Sequence, residues 1–302
     1  MEFNNHQKAL LYTLLYSDIF NFPLTEEELW LDLMNEKKID MDTLRKTIKS
    51  LSKFISYKNG FFCLAGKEKI INKRRKRIKI AQKKIEIAIS VGRCLSYIPT
   101  ILFVGISGRL SHIDADRDDD IDIFIITKKN TIWSTRLFLL AVLELMRVRR
   151  IRNDKNPRDK ICPNLIIEES ALAWPMDKRD LYTAHEIVHI IPLFTRNNIF
   201  QEFLAENKWI SKFYPNREGF CLQEQYIEKP KTYIIIKTLC FLLTLPFFEY
   251  IFDKLQRIYM KKGRKSEVVL SNFLAFHPYD YRQEILGNFS SKIKRYGLLT
   301  NG

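Results

Sequence analysis

The apolar pattern along the chain opens with a helix. From His6 to Ser17, Leu10, Leu11, Leu14 and Leu15 recur at the spacing of a buried stripe. Pro23 then breaks the chain. Thr25 followed by Glu26, Glu27 and Glu28 makes an N-cap with acids in the first turn, where the helix dipole favours negative charge. A third helix follows Asp42, with Leu44, Ile48 and Leu51 inward and Arg45, Lys46 and Lys49 outward. Ile55–Tyr57 and Phe61–Leu64 are strands across Lys58-Asn59-Gly60, whose Asn-Gly dipeptide suits a tight hairpin because both central residues need positive φ. This order predicts a winged helix over residues 1–66. Such a unit reads nucleic acid through its third helix, or serves as a docking and packing module. The third helix carries only three basic residues, few for phosphate contacts, and both readings stay open.

Between Lys67 and Lys84 there are ten Lys or Arg against one Glu, with isoleucines interleaved at helical spacing. This predicts a basic connecting helix over residues 67–97. Arg74, Arg75, Lys76 and Arg77 in series point charge all round it, so Lys73–Arg77 is expected to track the phosphates of RNA or DNA. From Ile101 the pattern becomes strand, turn, strand, helix, strand: Ile101–Val104, Ile121–Ile126, Ile132–Val148 and Leu165–Ile167. A small mixed-sheet core over residues 98–175 follows. After Asp177 the chain reads as helical to its end, over Arg179–Ile191, Ile199–Phe213, Tyr233–Met260 and Ser266–Leu274, with prolines between. The fold class is therefore α+β, with residues 176–302 an α-helical region.

The formal charge of +15 over 302 residues attracts polyanions, whether nucleic acid, nucleotides or an anionic membrane surface. Five scattered cysteines, with no close pair, exclude a zinc knuckle and oppose a secreted disulfide framework; with a polar N-terminus they point to the cytoplasm. Tyr233–Phe252 has the length to cross a bilayer, but it contains Lys237, Pro246 and Glu249. A buried or interfacial helix is expected there, not a membrane span.

The chemistry concentrates in Gly105–Thr127. An apolar strand runs into a glycine turn, a polar loop follows, and Asp120-Ile121-Asp122 opens a second apolar strand. Alternation puts Asp120 and Asp122 on one face of that strand and Ile121, Ile123 and Ile125 on the other. Two carboxylates on a face that would otherwise be core need a counter-charge, and a divalent cation supplies it economically. Oxygen-only ligands suit Mg²⁺ or Mn²⁺, shared with substrate phosphates.

This stretch resembles the signature of the DNA polymerase beta nucleotidyltransferase superfamily: a glycine turn, about ten variable residues, then two acids separated by an apolar residue on a strand. Gly108-Arg109 takes the turn and Asp120-Ile121-Asp122 the acids. The resemblance covers roughly Ile101 to Ile167. It implies transfer of a nucleoside monophosphate from an NTP, ATP first among them, to RNA, protein or a small molecule, with metal ions held by Asp120 and Asp122. Two departures stand out. Arg109 replaces the family's serine, leaving Ser107 or Ser111 to supply a hydroxyl beside the phosphates. Asn164 stands nearest the family's third acid, with Glu168, four residues on, the available substitute on the same strand face.

Other patterns compete. Asp114, Asp116, Asp118 and Asp120 space like a calcium loop, but Asp119 sits where the loop's glycine belongs and Ile125 where its closing acid belongs. His185-Glu186-Ile-Val-His189 matches the zinc-protease helix. A third ligand is not evident, and a helix packed beside the core is the simpler reading. Loss of activity in the transferase core, leaving a nucleic-acid-binding regulator, is the main alternative.

Overall fold

The computed structural model describes residues 3–151, 154–218, 238, 245–261, 268–276 and 281–298. Its N-terminal part follows the expected order: α1 (Asn5–Ile19), α2 (Glu26–Leu31), α3 (Met41–Ser50), β1 (Ile55–Lys58) and β2 (Phe61–Leu64). The expected cap at Thr25 is a full capping box, its side chain on the Glu28 N–H and the Glu28 carboxylate on the Thr25 N–H. β1 and β2 pair antiparallel through Asn59 at φ +53° and Gly60 at φ +86°, the left-handed pair that the tight turn requires. An antiparallel bridge from Leu24 to Phe62 adds a third edge. The leucines of α1 close this unit's own core with Leu44, Leu51 and Phe62.

α4 (Lys69–Leu95) is the basic helix, 27 residues long. Its charge does not point all round. Lys69, Lys73, Arg75, Lys76, Lys79 and Lys83 are exposed, while Arg74, Arg77 and Lys84 are buried. The expected track through Lys73–Arg77 is corrected accordingly, because two of its five cations face the interior. There they meet the acidic loop that follows β3 (Ile101–Ile106). Arg74 and Arg77 pair with Asp114 at 3.2 and 3.1 Å. Lys84 bonds Asp159 at 2.7 Å and the Asp119 carbonyl at 2.6 Å. The two charge runs that read as separate features of the sequence are partners.

β3, β4 (Ile121–Thr127), α5 (Ile132–Leu145) and β5 (Ile161–Glu168) appear as expected. β3 pairs antiparallel with β4, and β4 parallel with β5, so α5 is the crossover that a parallel pair requires. The remaining strands correct the sequence reading. α6 (Leu181–Val188) ends early, and β6 (Ile191–Thr195), mostly in the gap between two expected helices, pairs with β3. α7 is Ile199–Glu206. In place of a helix over Ser266–Leu274 there are β7 (Val268–Val269) and β8 (Phe273–Ala275), the latter antiparallel to β5. The sheet order is β6-β3-β4-β5-β8-β7, so the C-terminal region supplies half the strands of the core.

Ile121, Ile123 and Ile125 face α4 and α5, and Phe124 and Ile126 face α6 and α7. Of the helix expected from Tyr233, residues 233–237 and 239–244 lie outside the described residues, and α8 covers Pro246–Lys261. Glu249, a charge that counted against a membrane span, takes N–H bonds from Trp133 and Ser134 at 2.7 and 2.9 Å and so caps α5. Among the described residues no helix is long and apolar enough to cross a membrane. α9 (Arg282–Arg295) packs on α1 and α6.

Candidate functional site

β4 begins at Ile121 and β5 at Ile161, and their parallel register sets Asp122 opposite Cys162. Asp120, Asp122 and Cys162 converge there, their ligand atoms all within 4.8 Å of one another. Burial first, and then the Asp120 charge, push the Asp122 carboxyl up to about 7. Burial and the two aspartates also drive the Cys162 thiol well above its ordinary range, so it stays protonated and donates to Asp122. Arg150 forms an ion pair with Asp120.

The glycine turn reaches the same point. Gly108 has φ +61°, and a Cβ built on it would stand 2.6 Å from Oδ2 of Asp122. Position 108 thus disfavours other residues twice over, by its left-handed backbone and by the carboxylate in front of it. The Ser107 N–H bonds the Asp122 carbonyl at 3.0 Å, while its buried hydroxyl has no hydrogen-bond partner among the described residues. Ser111 donates to the Gly108 carbonyl at 2.6 Å and braces the turn.

Arg109 lines the same cavity but is engaged by other groups, and Glu168 falls elsewhere. Arg109 is clamped by Asp114 at 2.9 Å, Asp116 at 2.7 Å and Asp119 at 3.0 Å, which makes it the tie of the acidic loop. Asp114 itself is buried among Arg74, Arg77 and Arg109, so the loop is a neutralised structural element and not merely a solvated run.

Glu168 is opposite Thr127, at the far end of β4 from Asp122. The expectation that it shares the face of Asp122 fails for a definite reason. A bulge at Asn164 shifts the register between Ile123 and Phe124, which inverts alternation beyond it. Leu165 and Ile167 then share the Phe124 face, Ile166 joins the α5 face, and Glu168 follows Ile166, close enough to add to the upward push on Glu249. Asn164 does line the site, with its carbonyl bonded to the Phe276 N–H at 2.9 Å.

Asp122 and Gly108 open into a cavity of about 710 Å³ between the N-terminal unit and the sheet. Tyr16 of α1, Phe20 at its C-terminal cap, Tyr182 and Glu186 of α6 and Glu284 of α9 form its other walls. Burial pushes Glu186 up to about 7. His112, which the sequence did not single out, lies flat on His185, with ring centroids 4.7 Å apart, and 4.0 Å from His189. One ring nitrogen from each of His112, His185 and His189 lies within 4.8 Å of the others, a spacing that could hold a metal ion, although Nε2 of His189 is already met by Arg217 at 2.8 Å.

His189 Nδ1 donates to the His185 carbonyl at 2.8 Å, and its Nε2 lies between Arg217 at 2.8 Å and the Asp32 carboxylate at 3.2 Å. Burial, together with the neighbouring positive groups, holds His112 and His185 well below the ordinary imidazole range. Of the residues missed, Cys162 was within reach of the sequence, since it follows its strand start as Asp122 follows its own. Arg150 and Tyr16 carried no such signal, and Glu186 stood out only as the glutamate of the zinc-protease pattern. No family model, curated protein or solved structure matches the chain.

Proposed function

We propose that this protein is a divalent-metal-dependent nucleotidyltransferase acting through Asp120 and Asp122. One observation carries the reading: Asp122 lines a cavity with the Asp120 carboxylate beside it, against a glycine where any side chain would be strained and would press on Asp122. Their joint ionisation is costly in the absence of a counter-ion, and the Asp122 carboxyl is raised accordingly. The donor set fits a hard cation in part. The two carboxylates are the one or two that magnesium takes from protein when phosphates and water complete its shell, whereas the protonated Cys162 is a poor third ligand.

Asp120 and Asp122 would hold the metal, which when bound stabilises charge on the transferring phosphate. The turn at Gly108 lets the backbone approach the triphosphate, and Ser107, with its hydroxyl unpartnered among the described residues, offers it a donor. Arg150 sits on Asp120 as an internal cation and would have to yield to a metal there. The N-terminal unit, read as a winged helix, then forms one wall of the substrate cavity.

The test is binding of Mg-ATP to the full chain by titration. Asp120→Asn and Asp122→Asn are each expected to abolish it with the fold intact; undiminished binding in both variants removes the site. A second reading, an inactive core serving a nucleic-acid-binding regulator, is favoured by Cys162 beside Asp122 and by the exposed lysine stripe of α4. The zinc-hydrolase reading of His185 and His189 gains a third imidazole in His112 but is disfavoured by Arg217, whose guanidinium lies against Nε2 of His189.

A further inference from the structure

We infer that the cavity beyond Asp122 is the acceptor site, and that it takes a small hydroxyl-bearing amine with a flat or apolar body in place of a polynucleotide. The inference rests on the transferase reading and adds its substrate class.

Charge decides first. The arginines in the cavity wall, Arg77 and Arg109, are both engaged by Asp114. Asp32, also in the wall, is matched by Arg217 at 2.6 Å. With Asp122 given to the metal, what remains facing the space is acidic: Glu186 and, at the rim, Glu284. A phosphate chain would enter against those charges, whereas an ammonium would answer them. The chain's excess of cations lies elsewhere, along the outer face of α4.

Shape and surface agree. About 710 Å³ suits one compact molecule, within the usual range for small-ligand pockets. Tyr16, Phe20, Tyr182, Tyr214 and Tyr281 give it aromatic walls, and ring faces attract cations. Two polar groups there await a ligand. The Tyr16 hydroxyl is buried without a hydrogen-bond partner among the described residues, although the residue is only 1% exposed. Among those residues no hydrogen bond lowers the Glu186 carboxyl, and burial raises it towards neutrality, a state that a bound ammonium would reverse. In the transfer, the acceptor oxygen would bond the α-phosphorus as the bond to the β-phosphate oxygen breaks. Pyrophosphate leaves and the hydroxyl proton passes to water.

The experiment uses tyramine and 4-ethylphenol, matched rings with and without an ammonium, titrated calorimetrically into the full chain. Tyramine is expected to bind about tenfold or more tightly, the scale of a desolvated cation–π contact. Glu186→Gln, which keeps shape and removes a buried charge, should erase that preference. Asp120→Asn should keep it while losing Mg-ATP, so a failure of the metal site is read separately from a failure of the cavity. Equal binding of the two probes, absence of tyramine binding, or a preference that survives Glu186→Gln overturns the inference. So does transfer of α-phosphate label from ATP to RNA.

Discussion

Gly108 and Asp122 approach so closely that a Cβ on the glycine would lie 2.6 Å from the aspartate's Oδ2. The turn after β3 and the start of β4 are therefore fitted to one another, and the carboxylate is fixed by a missing side chain. Gly108→Ala should cost about 2 kcal/mol or more in chemical denaturation, combining strain at φ +61° with the clash. Gly60→Ala is the control, since its φ is +86° but nothing lies within 4 Å; it should cost only about 1 kcal/mol. Equal losses would show that the fit against Asp122 carries no energy.

The buried acids fix a pH dependence. Asp122 and Glu186 both titrate near 7 in the folded protein, well above their ordinary values of 3.8 and 4.5. A raised folded-state value means that the native state binds the proton more tightly than the unfolded chain. Their contribution is present in full below about pH 4 and is lost as the pH rises to about 7. Metal-free protein should therefore lose stability across that window. Asp122→Asn and Glu186→Gln should each flatten the loss and gain on the order of 2 kcal/mol at pH 8. Thermal melts in metal-free buffer at pH 5 and pH 8 check this, and parallel curves for variants and wild type would refute it.

The cations of α4 divide into two kinds. Arg74 is 1% exposed and bonds Glu28 and Asp114 at 2.9 and 3.2 Å and the His112 and Ile113 carbonyls. Arg74→Met takes from Glu28 its cation, from Asp114 one of three, and from the His112 and Ile113 carbonyls their donor, and should cost about 3 kcal/mol. Arg75→Gln, on the exposed face, should change stability by less than about 0.5 kcal/mol. If the outer stripe binds nucleic acid, replacing Lys73, Lys76 and Lys83 by Gln should lower the slope of log affinity against log salt by about one for each phosphate left unneutralised. A slope unchanged in that triple variant would leave the stripe as solvated charge.

The sequence made the N-terminal helices, the hairpin and the β3–β4–α5–β5 unit readable, because each is announced by local chemistry: caps, a turn dipeptide, strand alternation. β6 and β8 were not readable. Pro192 lies inside β6, and β8 is three residues long, so neither shows a period. Asp122 and Gly108 could be found from spacing alone. The cavity could not, since α1, α6 and α9 meet only in three dimensions. Nor could the pairing of the basic and acidic runs, which are locally indistinguishable from solvated charge.

The bulge at Asn164 gives the sharpest contrast between strand arithmetic and structure. Counting by twos from Asn164 puts Glu168 beside Asp120 and Asp122, whereas the register puts it opposite Thr127 and on the α5 face. Glu168→Gln should therefore leave Mg-ATP affinity and any transfer rate unchanged within about twofold, since it touches neither cavity nor ligands. Cys162 holds the position that Glu168 was expected to fill. Its protonated thiol donates to Asp122 and adds no negative charge to the site. Cys162→Asp would bring a third carboxylate to the other two, raising repulsion in the metal-free protein and affinity for a hard cation together. The expected outcome is a lower melting temperature without metal, a larger rise on adding Mg²⁺, and a faster transfer rate if the third donor limits the reaction. A Cys162→Asp protein that melts like wild type with and without Mg²⁺ would mean that position 162 does not belong to the site, and loss of ATP binding on Glu168→Gln would restore the strand count that the bulge overturns.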